Sequence, residues 1–250
     1  MIFARDEGEG EPLLLIHGLG AQSGVFNPLF ARRGARRLIA IDLPRTAKSG
    51  HWATSTPAAI AEALLPFLSS RKAERFSVFG HSFGGLVAMQ LAAVAPTRVT
   101  KLTVASAPAF GVPPALKLLL SSRLADVGLR AFSMIPVWRP ALSAYLKVIW
   151  GSATPSAELL TLYEEVLRTP GFNEGFLEAA RGIAEFRLPA DALKPLAIEK
   201  RLLWGEHDPL VPAWEGEKLA RAIGAELKVF DDVGHAVPEE RPDLLAAELL

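Results

Sequence analysis

Short apolar runs of strand length alternate with longer helical segments through most of this 250-residue chain. The runs show little alternation between apolar and polar residues, which is typical of strands covered on both faces and therefore of a parallel sheet. Strands are predicted at 13–16, 37–41, 76–79, 101–105, 201–204 and 227–230, and helices at 57–70, 83–94, 212–223 and 239–250. This order predicts an α/β protein with a mostly parallel central sheet and helices on both of its faces.

One long segment departs from this pattern. Between residues 110 and 195 the chain has no run typical of a sheet strand, and prolines divide it into short helical stretches. An all-helical insertion between two strands of one sheet is more typical of a lid than of an independent domain. We therefore predict a core formed by residues 1–109 and 196–250, with residues 110–195 as a helical lid.

Composition excludes several classes of function. The chain has 27 basic and 27 acidic residues, so it lacks the basic excess of a general nucleic-acid-binding protein. It has no cysteine, which excludes a disulfide framework, a thiolate nucleophile and cysteine-ligated metals. No histidine or carboxylate cluster has the spacing of metal ligands, and we predict neither a metal nor a cofactor. Because no signal peptide or membrane-spanning run is found, we expect a cytoplasmic protein without a membrane partner.

The segment from Gly80 to Gly84 has the pattern Gly-x-Ser-x-Gly, with Ser82 at its centre. It directly follows the predicted strand 76–79 and opens the predicted helix at Phe83, which is the strand–turn–helix setting of a nucleophile elbow. So tight a turn projects the serine hydroxyl clear of the backbone. The flanking residues must be small, because strand and helix pass close together there. The alternative is a glycine-rich turn with an incidental serine.

Three further loops follow predicted strands and could supply the remaining groups of an acyl-transfer site. The turn from His17 to Gly20 can direct a backbone N–H towards a developing oxyanion. His235 follows the last strand and can reach Ser82 as a general base. Asp208 follows the preceding strand and can orient the imidazole of that histidine, although a helix cap is its alternative role.

Two other aspartates compete for the role of the acid. Asp231 and Asp232 lie four and three residues before His235, on the same loop. So short a tether makes it difficult for either carboxylate to face the ring nitrogen that points away from Ser82. Asp208 lies on the loop of the preceding strand and can approach the ring from that side, so the sequence favours Asp208.

The chain resembles the α/β-hydrolase fold family, in its serine esterase-like branch, because Ser82, Asp208 and His235 occur in that family's order of nucleophile, acid and base. The resemblance spans nearly the whole chain. It implies that Ser82 is the nucleophile, Asp208 the acid and His235 the base. It also implies that the backbone N–H groups of Leu19 and Phe83 form the oxyanion hole.

One loop departs from the family pattern. The family signature is Asp-x-Pro-Gly-x-Gly-x-Ser, and here the corresponding segment runs from Asp42 to Ser49. It keeps the aspartate, proline and serine, but Arg45 and Ala47 replace both glycines. We therefore expect a loop of different shape, with no catalytic role.

The resulting hypothesis is a serine hydrolase that cleaves carboxylic esters with small to medium apolar acyl groups through an acyl-enzyme on Ser82. The dehalogenase and epoxide-hydrolase branches resemble this fold but have aspartate at that position. Lactone hydrolysis, carbon–carbon bond hydrolysis and cofactor-free perhydrolysis remain alternatives on the same three residues. A ligand-binding receptor or scaffold of the same fold is the non-enzyme alternative. The spacings also resemble the bacterial pimeloyl-carrier-protein methyl ester esterases, whose lids dock an acidic carrier protein.

Two sets of residues are candidates for contacts with a substrate or a partner. Trp138 and Tyr145 of the lid, together with Val237, are predicted to line a substrate pocket, although lid aromatics more often form the core of the lid. Between residues 110 and 150 five basic residues stand against one acidic residue: Lys117, Arg123, Arg130, Arg139 and Lys147 against Asp126. This excess either forms an ordinary solvated face or docks an acidic carrier protein.

Overall fold

A computed structural model describes residues 1–50, 55–122, 125, 139–151 and 154–250. The strands in these residues are Ala4–Glu7 (β1), Glu9–Ile16 (β2), Arg36–Ile41 (β3), Phe76–His81 (β4), Val99–Ala105 (β5), Glu199–Gly205 (β6) and Glu226–Phe230 (β7). They form one sheet in the order β1-β3-β2-β4-β5-β6-β7, with β1 antiparallel to β3 and the other neighbouring pairs parallel. The predicted mostly parallel α/β sheet is confirmed.

Helices cover both faces of the sheet. In the described residues they are Asn27–Arg32 (α1, after a 3-10 turn at Ser23–Phe26), Pro57–Ser70 (α2), Phe83–Val94 (α3), Pro114–Leu120 (α4), Arg139–Ile149 (α5), Ala157–Leu167 (α6), Phe172–Glu185 (α7), Ala190–Leu193 (α8), Ala213–Ile223 (α9), Val237–Glu240 (α10) and Pro242–Leu249 (α11). One hydrophobic cluster joins α2, α3 and α9 to one face, and a second joins α1 and α11 to the other. None of the described helices is long and apolar enough to cross a membrane.

Strand β2 contributes side chains to the hydrophobic clusters on both faces of the sheet. Leu14 and Ile16 belong to the first hydrophobic cluster, whereas Leu13 and Leu15 belong to the second. Successive side chains of a strand point to opposite faces, so a continuous apolar run supplies both clusters. This pattern explains why the parallel strands can be predicted from apolar runs without alternation.

The edge strand β1 is not predicted by the sequence, because its residues Ala-Arg-Asp-Glu contain no apolar run. All four residues are half-buried, so their polar side chains stay hydrated at the edge of the sheet. Gly8 connects β1 to β2 with a φ of 97°, and a Cβ there would contact the carbonyl of Arg36. Glycine therefore lets the chain pass from one side of β3 to the other.

The last predicted helix, 239–250, is divided into α10 and α11 in the structure. Arg241 separates the two helices with a φ of −135° and a ψ of 64°. The cause is Pro242, because proline disfavours helical geometry at the residue before it. As a result the short helix α10 begins two residues after His235 and stays beside the loop that carries it.

The inserted segment, residues 110–195, is helical wherever the structure describes regular elements in it. Ile149, the last residue of α5, and the following Trp150 pack in a hydrophobic cluster with Ala236, in the loop after β7. The division of the chain into a core and a lid stays a prediction. This contact nevertheless places the end of α5 directly beside His235.

Candidate active site

Ser82 lies on a strained turn between β4 and α3. Its φ of 51° and ψ of −117° are uncommon for a residue with a side chain. The Ser82 N–H donates to the carbonyl of Ala105 over 2.7 Å. A Cβ on Gly80 would contact the carbonyl of Gly84, and a Cβ on Gly84 would contact the carbonyl of Ile16. Both glycines are required because strand, turn and helix pack backbone against backbone.

A continuous chain of hydrogen bonds joins Ser82, His235 and Asp208. The Ser82 hydroxyl donates to His235 Nε2 over 3.0 Å. His235 Nδ1 donates to the Asp208 carboxylate, at 2.9 Å from Oδ2 and 3.0 Å from Oδ1. Because an ionised carboxylate is an acceptor, it fixes the proton on Nδ1 and leaves the Nε2 lone pair for the serine. His235 and Asp208 are buried, whereas Ser82 is half-buried.

Backbone groups hold the Asp208 carboxylate in place. Its Oδ1 accepts from the N–H groups of Leu210 and Val211, each over 2.9 Å. The alternative capping role of this aspartate is therefore present as well, on the same carboxylate that contacts His235 Nδ1. Asp231 and Asp232 are exposed.

The loops after β6 and β7 approach each other closely. A Cβ on Gly205 would contact the carbonyls of Val233 and Gly234, so glycine is needed at this contact. The His207 N–H donates to the Val233 carbonyl over 2.9 Å. These contacts hold the loop after β6, which carries Asp208, against the loop after β7.

Two backbone N–H groups near Ser82 have no hydrogen-bond acceptor within the described ranges. The Phe83 N–H is at the first position of α3, where a helix has no internal acceptor. The Leu19 N–H belongs to the turn after β2, which packs against the elbow. A Cβ on Gly18 would lie 3.3 Å from Ser82 Cβ and 2.9 Å from His81 Nδ1. Both N–H groups could donate to a negatively charged oxygen at this place.

His17 fixes the conformation of the turn after β2. Its Nδ1 donates to the Gly18 carbonyl over 2.8 Å, and its Nε2 accepts from the Leu43 N–H over 3.0 Å. Burial lowers the pKa of His17 below its usual range, so the ring is neutral, as these two roles require. The histidine thereby ties this turn to the loop after β3.

The loop after β3 adopts a left-handed conformation at both positions that lack the family's glycines. Arg45 and Ala47 have φ of 57° and 42°. The Asp42 carboxylate orders the loop by accepting from the N–H groups of Ser23 (2.8 Å) and Lys48 (3.0 Å). Each left-handed residue costs about 1–2 kcal/mol. A loop shape different from that of the family stays a prediction.

A small cavity lies beside Leu19 and Phe83. Its volume is about 10 Å³, which is room for about one water molecule. Phe172 and Phe176 of α7 form part of its wall, with ring centroids 5.7 Å apart. The inserted segment therefore limits the free space next to the two N–H groups.

The residues predicted to line a substrate pocket lie elsewhere or outside the described ranges. Tyr145, on α5, is 57% exposed. Val237 is fully buried in a hydrophobic cluster with Val233 and Leu245. Trp138 lies outside the described residues. A role of these three side chains in binding a substrate stays a prediction.

Two buried polar side chains that are not among the predicted site residues contact the His235 loop. His81 donates from Nε2 to the His235 carbonyl over 2.9 Å, and burial lowers the pKa of His81 to about 3. Glu240 accepts from the N–H groups of Gly234 and Ala236, each over 3.0 Å. The position of His81 inside the Gly-x-Ser-x-Gly motif is a usable signal. The residues around Glu240 give no such signal, because a glutamate in a helical pattern is usually a surface residue.

These groups meet the chemical needs of acyl transfer: a hydroxyl aligned with a neutral base, a carboxylate behind that base, and two free N–H donors. Among the described residues no group of three histidine, aspartate or glutamate side chains is arranged to hold a metal ion.

Comparison with known proteins identifies the family. The family model described as "Alpha/beta hydrolase family" matches residues 13–248. The chain belongs to the alpha/beta hydrolase family. The matched range contains Ser82, Asp208 and His235 as well as the inserted segment, and the resemblance seen in the motifs is confirmed.

Relatives of this alpha/beta hydrolase carry different names. A pimeloyl-[acyl-carrier protein] methyl ester esterase from Vibrio vulnificus is 29% identical over 98% of this chain and 94% of its own length. A thermophilic esterase from Thermogutta terrifontis is 25% identical, with a TM-score of 0.79 over 99% of this chain and 91% of that chain. The enol-lactonase from Burkholderia xenovorans has a TM-score of 0.80 over 99% and 94% of the two chains. At 20% identity, this last likeness shows the fold alone.

Proposed function

We propose that this alpha/beta hydrolase is a serine hydrolase that cleaves carboxylic esters through an acyl-enzyme on Ser82. The observation that carries the proposal is the alignment of Ser82 Oγ, 3.0 Å from His235 Nε2, with Asp208 bonded to the opposite ring nitrogen. Catalysis requires such a nucleophile and base within hydrogen-bond reach, with the base oriented by a third group. In this proposal the reaction needs no metal and no cofactor, and the partner is a small-molecule ester.

The first half of the proposed reaction forms the acyl-enzyme. Ser82 Oγ attacks the carbonyl carbon of the ester while His235 Nε2 takes the hydroxyl proton. The carbonyl oxygen becomes an oxyanion and accepts from the N–H groups of Leu19 and Phe83. When the tetrahedral intermediate collapses, the bond to the alcohol oxygen breaks, and the imidazolium returns the proton to that oxygen. Asp208 stabilises the imidazolium throughout.

The second half repeats these steps with water in place of the serine. His235 Nε2 takes a proton from the water, whose oxygen attacks the acyl carbon. Collapse breaks the bond to Ser82 Oγ, which recovers its proton from the imidazolium, and a carboxylic acid is released. The oxyanion is formed twice, so the two N–H donors contribute to both halves of the reaction.

The small cavity beside Leu19 and Phe83 supports the small end of the proposed range of apolar acyl groups. Its space is about 10 Å³, and the rings of Phe172 and Phe176 contribute to its wall. An acyl group bonded to Ser82 has its carbonyl oxygen at the same two N–H groups, so its chain starts next to this wall. Long acyl chains would have to displace the phenylalanines.

A second candidate is the hydrolysis of methyl esters linked to an acidic carrier protein. It is favoured by the Vibrio vulnificus relative, which matches over nearly its whole length. Among the described basic residues between 110 and 150, Arg139 is 2.8 Å from Glu164 and so is partly neutralised, while Lys117 and Lys147 remain. Arg123 and Arg130 lie outside the described residues. A location in the cytoplasm, which this candidate requires, stays a prediction from the sequence.

The proposal is tested by the hydrolysis of p-nitrophenyl acetate, butyrate and octanoate by the parent protein and by Ser82→Ala. We expect the parent to turn over the short esters fastest and the variant to lose about a millionfold in kcat, down to the background rate. A carrier-linked methyl ester is measured beside them, and a higher kcat/KM for it would select the second candidate. A folded parent without turnover of any ester would contradict the proposal and favour a ligand-binding protein.

A further inference from the structure

Glu240 is a buried acidic residue that takes no part in the steps of the proposed reaction. Glu240 is 7% exposed. Its carboxylate accepts hydrogen bonds from three backbone N–H groups. Oε2 accepts from Gly151 (2.7 Å) and Gly234 (3.0 Å), and Oε1 accepts from Ala236 (3.0 Å). Within the described ranges, no lysine or arginine pairs with it. A buried carboxylate is costly unless hydrogen bonds satisfy it, and here backbone donors do so.

Two of these three donors flank His235. The N–H groups of Gly234 and Ala236 belong to the residues directly before and after it. The backbone of His235 itself is bonded on both sides: its N–H donates to the Ile149 carbonyl over 2.8 Å, and its carbonyl accepts from His81 Nε2 over 2.9 Å. The peptide units around the histidine are therefore held from several directions.

The third donor belongs to the inserted segment. Gly151 follows α5 by two residues, and a Cβ on Gly151 would lie 2.8 Å from the Gly234 nitrogen. A Cβ on Gly234 would contact the backbone of Gly151 in turn. The two segments thus touch backbone to backbone, and Glu240 Oε2 accepts from both of them.

We propose that Glu240 is a positioning residue for His235, which fixes the imidazole between Ser82 and Asp208 and ties its place to the end of α5. The proposal rests on the proposed function, because it concerns the base of that reaction. A displacement of about 1 Å in a reacting group can cost about a hundredfold in rate. Loss of these bonds should therefore lower kcat with little effect on KM, because the bonds hold the base of the reaction in place.

The neighbouring Glu239 offers a matched control. Its Oε1 accepts from the Tyr163 hydroxyl over 3.2 Å and has no contact with the His235 peptides among the bonds of the described residues. Burial raises the pKa of Glu239 to about 8, so this carboxyl is protonated at pH 7. Glutamine imitates a protonated glutamate, so Glu239→Gln should disturb little. Glu240→Gln, in contrast, replaces an accepting oxygen with an amide NH₂ that cannot accept from a backbone N–H.

The experiment compares the parent, Glu240→Gln and Glu239→Gln at pH 7, with active sites counted by complete labelling with a fluorophosphonate. For Glu240→Gln we expect kcat per active site to fall by about ten- to a hundredfold, with KM within about twofold of the parent. Glu239→Gln should stay within about twofold in both constants. A residue that served stability alone would lower the melting temperature and leave kcat per active site unchanged, and that result would overturn the proposal.

A second measurement does not depend on hydrolysis. In protein with ¹⁵N-labelled histidine, the Nδ1–H of His235 that donates to Asp208 should give a low-field proton resonance protected from exchange in the parent, Ser82→Ala and Glu239→Gln. Glu240→Gln should broaden or shift it, and an unchanged resonance would overturn the proposal even if no ester were cleaved. Inactivity of the parent would then concern the proposed function alone. Glu240→Asp, one methylene shorter, provides the same test if the glutamine variant does not fold.

Discussion

Each ring nitrogen of His235 has one partner, and the partner of Nδ1 determines what Nε2 can do. With the Asp208 carboxylate on Nδ1, the ring presents a lone pair to Ser82. With a neutral amide in that place, the ring can present an N–H instead and can no longer accept the serine proton. The charge of one buried carboxylate thus decides whether the hydroxyl beside the histidine can be activated.

Asp208→Asn should therefore lower kcat by about ten-thousandfold, mainly through the wrong tautomer of His235. Asp231→Asn and Asp232→Asn serve as matched controls on the loop of the histidine, and both should stay within about tenfold of the parent. The measurement is kcat on a short p-nitrophenyl ester. If Asp231→Asn or Asp232→Asn caused the larger loss, the orienting carboxylate would lie on the histidine's own loop.

Part of this site can be predicted from the sequence, and there are physical reasons why the rest cannot. Ser82 can be found because the tight turn that carries it requires glycines on both sides. His235 can be found because it follows the last predicted strand. Asp208 can be separated from Asp231 by the length of the tether to His235. Glu240 cannot be found in this way, because its partners are backbone N–H groups. Every residue except proline has such a group, so the sequence does not indicate which of them bind a side chain.

At the scale of elements, α7 connects the inserted segment to the site. The side chain of Glu178 accepts from the Ser55 N–H over 2.8 Å, and Arg45 packs against Gly175, where a Cβ would lie 2.9 Å from its Cδ. These contacts fix α7 over the segment after β3, and Phe176 lies beside the small cavity. Which aromatic side chains face that cavity depends on how the helices pack, so the sequence could not distinguish Phe176 from Tyr145.

Phe176→Ala should extend the range of acyl chains. Removal of the ring opens the wall of the cavity, so kcat/KM for butyrate and octanoate esters should rise relative to acetate by about tenfold or more. Phe110→Ala is the matched control, because Phe110 also belongs to the inserted segment but is an exposed residue. An unchanged ratio between long and short esters in Phe176→Ala would show that the acyl chain lies elsewhere.

At the scale of the whole molecule, the candidate site is assembled from loops at the carboxyl ends of β2, β4, β6 and β7. In an open parallel sheet this edge is where ligands bind, because successive crossovers bring the loops together there. The buried strands and their helices follow from apolar runs and are predicted well. The edge strand β1 is not predicted, because it lacks an apolar run. The break at Arg241 is not predicted either, because it depends on a single proline.

The central claim is that Ser82 is a nucleophile made reactive by this assembly, and covalent labelling with a fluorophosphonate tests it most directly. We expect the intact mass to increase by one adduct, and fragmentation of the tryptic peptide 76–98 to place it on Ser82 rather than on Ser77, which is buried. Ser82→Ala should not be labelled. Ser106→Ala, which changes a buried serine with a φ of 50° at the end of β5, should be labelled like the parent. An adduct that persists in Ser82→Ala, or its absence from the folded parent, would contradict the account.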